Sequence, residues 1–193
     1  MTAAATAVPA AGATDGRRRR GDASRAVLLD AASRLITEVG VGALTHRAVA
    51  RAAGVPLARV SYHFPKVEDL MVAAAQEYLA AFDDHLRAMA EAAARGERSM
   101  VDACTDVLYG LVTDGAREFL GMVEVRLALA RRGRTVDDTG IVPMIEAFGA
   151  ERQRALSIAA AMFGFAVLAA AEPTTVGRAQ VRDHVRTVLG VPT

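Results

Sequence analysis

The sequence predicts an all-α protein. Sustained alternating runs are missing, β-branched clusters are few, and no Asn-Gly hairpin turn occurs. Apolar residues instead recur at threes and fours along most of the 193 residues. The hydrophobic fraction is 52%, much of it alanine, which suffices for a core built from small side chains. The length suits one domain, or two small ones sharing a core.

Residues 1–21 are rich in Ala, Gly, Thr and Pro and end in Arg17-Arg18-Arg19-Arg20-Gly21. They read as a disordered basic arm. The arginines are either a solvated run or an arm that follows phosphates or enters a minor groove. A first helix is expected over 24–39, with Ser24 as N-cap and Gly40 at its end. Its apolar stripe is Val27, Leu28, Ala31, Leu35 and Ile36. A second short helix, 46–52, is capped by Thr45, whose hydroxyl can accept an orphan backbone N–H. Val49 and Ala52 share its apolar face. Ala53-Gly54-Val55 forms a turn, with Gly54 where the chain needs positive φ. Pro56 suits the first turn of a third helix, 57–63. Val60 and Phe64 bury that helix, leaving Leu57, Ala58, Arg59, Ser61, Tyr62 and His63 at or near its exposed side. A short, supported helix with such a face is a helix-turn-helix that can enter a DNA major groove.

A long helix over 67–94 follows, with Met71, Ala75, Tyr78, Phe82, His85 and Met89 on its inner stripe. Ser99 caps a helix over 100–114, and another spans 116–132. Residues 135–140 read as a polar connection. One helix or a kinked pair covers 141–171. Glu172-Pro173 ends it, and Thr174 or Thr175 opens a last helix to about 189. The expected division is an arm (1–21), a helix-turn-helix domain (22–66) and a helical effector-binding and dimerisation domain (67–193).

Leu44-Thr45, Ala50-x-x-Ala53-Gly54-Val55, Tyr62-His63-Phe64 and Leu70, after a helix ending in glycine, resemble the DNA-binding domain of the TetR family of one-component bacterial repressors. The motif-level resemblance covers about residues 24–82. The chain departs from it at Ser61, where tyrosine is most usual, at Ala58, where glycine or proline is common, and at Val67, often lysine, with Lys66 just before. The resemblance implies a homodimeric repressor on a near-palindromic operator, released by a small apolar or amphipathic effector. Alternatives are a constitutive regulator without an inducer, and a small-molecule or protein-binding helical module with a weakened head.

Charge placement fits a DNA-binding head. Net charge is +1, yet residues 17–70 hold ten Arg/Lys against five Asp/Glu, and residues 71–193 hold thirteen against sixteen. Arg47 and Arg59 are the expected base readers, since Arg matches the O6/N7 edge of guanine. Thr45 and His46 open the second helix toward phosphate. Tyr62 and His63 are donors near the backbone, Leu57, Ala58 and Ser61 complete the face, and Arg25 and Lys66 are phosphate clamps.

In the body, Tyr78, Phe82, His85, Met89, Tyr109, Phe119, Met122, Arg126 and Phe148 are the expected effector-binding residues. With Met162 and Phe163 they outline a Met- and Phe-lined cavity. Glu124 and Arg126 interrupt an apolar run and must pair, reach solvent or meet a ligand. Phe163, Val167, Val181, Val185 and Val188 are expected to form the dimer surface, a four-helix bundle across a two-fold axis. It would hold two recognition helices roughly 34 Å apart.

The four histidines and the single Cys104 have no metal-ligand spacing. Asp83-Asp84-His85 point to different faces of a helix. No phosphate loop, nucleophile elbow or paired carboxylates occur. Neither an enzyme, a metal nor a cofactor is expected. A lone cysteine fits a cytoplasmic location, and no clear membrane span is expected. The apolar segment 157–171 reads as a buried core or interface helix.

Overall fold

The computed structural model describes residues 11–136, 140–172 and 176–192, with 11–20 and Ala93 described by backbone alone. The helix-opening role expected of Thr174 or Thr175, and residues 1–10 of the expected arm, lie outside the described residues. Among the described residues there are nine α-helices, one 3-10 turn and no strand.

Helix α1 (Ala11–Val39) starts earlier than expected. Residues 11–21 are helical instead of forming a disordered arm, so Ser24 lies inside α1 and caps nothing. Alanine and arginine are strong helix formers, and the packed 28–36 segment supplies the costly nucleus. Leu28, Leu29, Ala31, Ala32 and Ile36 are buried, whereas Val27 is 49% exposed. The apolar stripe is therefore rotated one position from the expected one.

A 3-10 turn (Val41–Ala43) leads to α2 (His46–Ala52) and α3 (Leu57–His63). Thr45 Oγ1 accepts from the Ala48 N–H at 3.1 Å, closing the start of α2. Gly54 turns the chain at φ +64°. Pro56 stands at the cap of α3 and not within its first turn. In α2, Val49 and Ala50 face inward while Ala52 is exposed. Val60 and Phe64 are buried against α2 and α1.

Helix α4 (Val67–Ala94) runs from the head into the body. His85 is exposed and Leu86 takes the inner position. After Phe82 the helical repeat allows a step of three or four, and burial of leucine decides it. α5 (Met100–Val112) is capped by Ser99, whose Oγ accepts from the Asp102 N–H at 3.1 Å. α6 (Ala116–Ala130) follows, and the segment from 141 to 171 resolves into two helices, α7 (Ile141–Ala147) and α8 (Arg152–Ala171). α8 has the length and apolar composition of a membrane span. Here Ala155, Ile158, Met162 and Ala166 pack it into the body. α9 (Arg178–Leu189) lies along α5, held by Arg182 on Asp102 at 2.6 Å and by Arg178 on Asp106.

Two cores result. The first joins α1 to α3 with the start of α4, and takes Met122, Val125 and Leu129 from α6. The second fills the body from α4 to α9 and includes Phe119 of the same α6. Helix α6 thus belongs to both. Its Gly121 meets Ile36 so closely that a Cβ there would stand 2.8 Å from Ile36 Cγ2.

Candidate nucleic-acid interface and effector cavity

The expected DNA-contacting residues gather on one side of the head. Arg47, Ala58, Arg59, Ser61 and Lys66 are exposed, Leu57 is 41% exposed and Tyr62 83%. So exposed a tyrosine on a short helix has no packing role in this chain. His63 is half-buried, with its ring edge-on to Tyr62 at 5.3 Å. Arg25 on α1 is exposed and its guanidinium lies over the Phe64 ring at 5.3 Å, beside the end of α3.

His46 behaves differently from its neighbours. It is half-buried, and its Nε2 is hydrogen-bonded to the Phe64 carbonyl oxygen at 2.6 Å. The nitrogen must carry the proton to donate to a carbonyl. The ring therefore ties the start of α2 to the end of α3 and fixes the angle between the two helices. Thr45 is likewise occupied, as the cap of α2.

The body holds a small apolar cavity of about 70 Å³, open at one side. Tyr78 and Phe82 form one wall from α4, stacked at 6.3 Å between ring centroids. Phe119, Met122 and Arg126 of α6 line the opposite side. His85, Met89, Tyr109 and Phe148 do not line it. His85 faces outward, Met89 is packed in the second core, Tyr109 lies under the Arg178 guanidinium at 5.8 Å, and Phe148 caps α7. Leu108, Leu111 and Ile141 also line the cavity, and in sequence aliphatic side chains on a stripe look like any core. Met162 and Phe163 of α8 also line the cavity. Phe163 meets Phe119 edge-on at 5.6 Å and remains 45% exposed, so it stands at the mouth.

The expected dimer surface needs correction. Val181 and Val185 are fully buried within the chain, where the single apolar stripe of α9 is spent on α5. They have no area left for a partner. Val167 and Val188 are half-buried. Exposed apolar side chains of the body lie instead on α8, Leu156 at 44%, Phe163 at 45% and Leu168 at 68%, with Ala160 and Gly164 between them. Steps of four along this run place Leu156, Ala160, Gly164 and Leu168 on one ridge.

Besides the continuous α4, helix α6 and the residues just after it tie head to body. Glu124 Oε2 accepts from the Val41 N–H at 2.9 Å. Arg132 pairs with Glu68 at 3.2 Å and Arg134 with Asp69 at 2.8 Å, both at the first turn of α4. The hydrogen bond from Arg134 holds the Asp69 carboxyl below its ordinary range, against the opposing effect of desolvation. Elsewhere, burial pushes the Cys104 thiol up to about 12, which leaves it a small apolar core residue without thiolate character. Among the described residues no group of three or more His, Cys, Asp or Glu is placed to hold a metal ion.

A helix-turn-helix with an exposed recognition face, on an all-helical body, defines a DNA-binding protein with a separate second module. Residues 28–74 match the model of the bacterial regulatory proteins of the tetR family. The head is thus similar to the DNA-binding domain of that family, over about a quarter of the chain. A comparison with curated proteins returned no match. Among solved structures, the multidrug binding protein EbrR complexed with ethidium is 24% identical, with a TM-score of 0.71 over 86% of this chain and 98% of that one. A TetR-family member from Streptomyces coelicolor A3 is also 24% identical, with a TM-score of 0.69 over 86% and 97%. EbrR complexed with malachite green is 23% identical, with a TM-score of 0.67 over 85% and 96%. At these identities the likeness concerns the fold.

Proposed function

We propose that the protein is a cytoplasmic, homodimeric repressor that binds a near-palindromic operator and is released by a small apolar or amphipathic effector. The division into a DNA-binding head up to residue 66 and an effector-binding and dimerisation body from residue 67 is part of this reading. No catalytic role is assigned to any residue. The observation that carries it is that α4 and α6 line the cavity and also brace the head. A molecule entering between Tyr78 and Phe82 on one side and Phe119 and Met122 on the other spreads these helices. That displaces α4, which is separated from the recognition helix α3 by three residues. The spacing of the two heads changes and operator affinity falls. Linkage requires that operator weaken effector binding by the same factor.

Arg47, Arg59 and Tyr62 read bases, with Leu57, Ala58 and Ser61 in apolar or polar contact, while Thr45, Arg25 and Lys66 hold phosphates. His46 acts by positioning α2 on α3, and His63 supports Tyr62. The Leu156–Leu168 ridge of α8 meets a second copy, where Ala160 and Gly164 permit close helix approach. That EbrR is a multidrug binding protein with ethidium or malachite green bound supports an effector role for the same part of the fold.

The test is a fluorescence-anisotropy titration against the DNA upstream of the protein's own gene, at two salt concentrations, with a random duplex as control. Tight binding to the upstream DNA alone supports a specific regulator. Equal, strongly salt-dependent binding to both means that charge alone is being read.

A further inference from the structure

We propose that the start of α1 is a rigid helical arm that grips DNA phosphates beside the recognition helix, with Arg18 and Arg25 as its two holding points. The inference rests on the DNA-binding reading above and deepens it. Helix α1 is continuous from Ala11 to Val39. Its far part is tied to the body, where Ile36 meets Gly121 of α6. About 16 Å back along the axis, the Arg25 guanidinium lies over the ring of Phe64, at the end of α3. The residues before Arg25 extend α1 by a further 20 Å or about that from this end. Residues 17–25 carry five arginines against the single Asp22, a charge that a duplex backbone complements.

Helical register selects among the arginines. Arg17 to Arg20 are consecutive, so at about 100° per residue they spread around the helix. Arg18 precedes Arg25 by two turns and occupies the same face, about 10 Å further out, whereas Arg20 stands on nearly the opposite one. Two acids temper Arg25, since Asp22 and Glu77 share a surface groove with it. Arg18 lies a full turn beyond Asp22 and restores positive charge to this face. The helical form also decides where the arm goes. A helix is about 10–12 Å across, and the minor groove is only about 6 Å wide. The arm therefore follows the phosphate backbone and reads no bases.

The experiment is an anisotropy titration of the full-length protein with a random duplex over a salt series, which needs no operator. Each phosphate contact contributes about 0.9 to the slope of log affinity against log salt. Arg18→Gln should make that slope shallower by about one for each protomer bound, while Arg20→Gln should leave it nearly unchanged. Gly21→Pro keeps every arginine but interrupts α1 between the two holding points, and should act like Arg18→Gln. Equal losses from Arg18→Gln and Arg20→Gln overturn the proposal, since a flexible tail has no preferred face. So does a slope that Arg18→Gln or Gly21→Pro leaves unchanged. If the unmodified protein binds no duplex, the DNA-binding reading fails first, and this inference fails with it.

Discussion

The carboxylate of Glu124 accepts a hydrogen bond from the backbone N–H of Val41, at 2.9 Å and 83 residues away in sequence. Val41 opens the 3-10 turn between α1 and α2, where a helical segment leaves N–H groups without internal partners. A body helix therefore satisfies a donor of the head. Glu124→Ala should lower stability by about 1 kcal/mol, the usual loss for one hydrogen bond. Glu124→Gln, which keeps an acceptor, should lose less. Urea unfolding of both variants checks this, and identical midpoints for Glu124→Ala and the unmodified protein would show that the bond contributes nothing.

Arg47 and Arg59 are exposed and remote from the cores, so replacing either by alanine should leave far-ultraviolet circular dichroism unchanged. Each should cost about 1–3 kcal/mol in operator affinity if it reads a base edge, with little effect on a random duplex. Lys66→Ala should instead weaken both duplexes and reduce the salt slope by about one. Anisotropy titrations over a salt series separate the two roles. A uniform loss from Arg47→Ala across operator and random duplex would make it a phosphate clamp.

The local chemistry of the head was readable because it is local. Thr45 accepts a backbone N–H three residues on, and Gly54 meets a requirement of its own φ. Neither depends on a distant partner, and the limits of α2, α3 and α4 followed from such signals. Facing was harder. Val27 and Leu29 are equally apolar, and only the packing of α1 against α4 and α6 selects Leu29. The cavity was legible where aromatics mark a stripe, as at Tyr78, Phe82 and Phe119. It was not legible at Tyr109 or Phe148, whose directions depend on how α5 and α7 are rotated against their neighbours. The sequence showed a valine stripe on α9 but not that α5 of the same chain would take it.

That stripe yields a paired prediction. Val185 is fully buried, and Val185→Glu would place an unpaired charge in the second core. Such a change should cost several kcal/mol and unfold the protein without reporting on association. Leu168 is 68% exposed on α8, and Leu168→Glu should leave the melting temperature of the chain nearly unchanged. In a dimer built on the α8 ridge it places like charges face to face, so light scattering after gel filtration should show monomers. An intact Leu168→Glu dimer would move the interface off this ridge.

A pH dependence follows from His184 on α9. Its ring is stacked on Phe165 with centroids 4.2 Å apart, and its Nε2 is buried without a hydrogen-bond partner among the described residues. Burial disfavours the charged ring and lowers its pKa below the ordinary histidine value, partly opposed by a backbone hydrogen bond with Ala161. The unfolded chain takes up the proton near the ordinary value of 6.5, while the folded chain does so only at lower pH. Between those points the unfolded state binds more protons, so stability rises with pH. The contribution of the neutral ring is complete above that ordinary value and declines as pH falls through the folded one. His184→Phe keeps an aromatic ring over Phe165 and removes the titration. The melting temperature of the unmodified protein should therefore fall relative to that variant between about pH 7 and about pH 5, the range in which a histidine charges. Parallel melting curves across this range would mean that the His184 ring takes up its proton equally well in the folded chain.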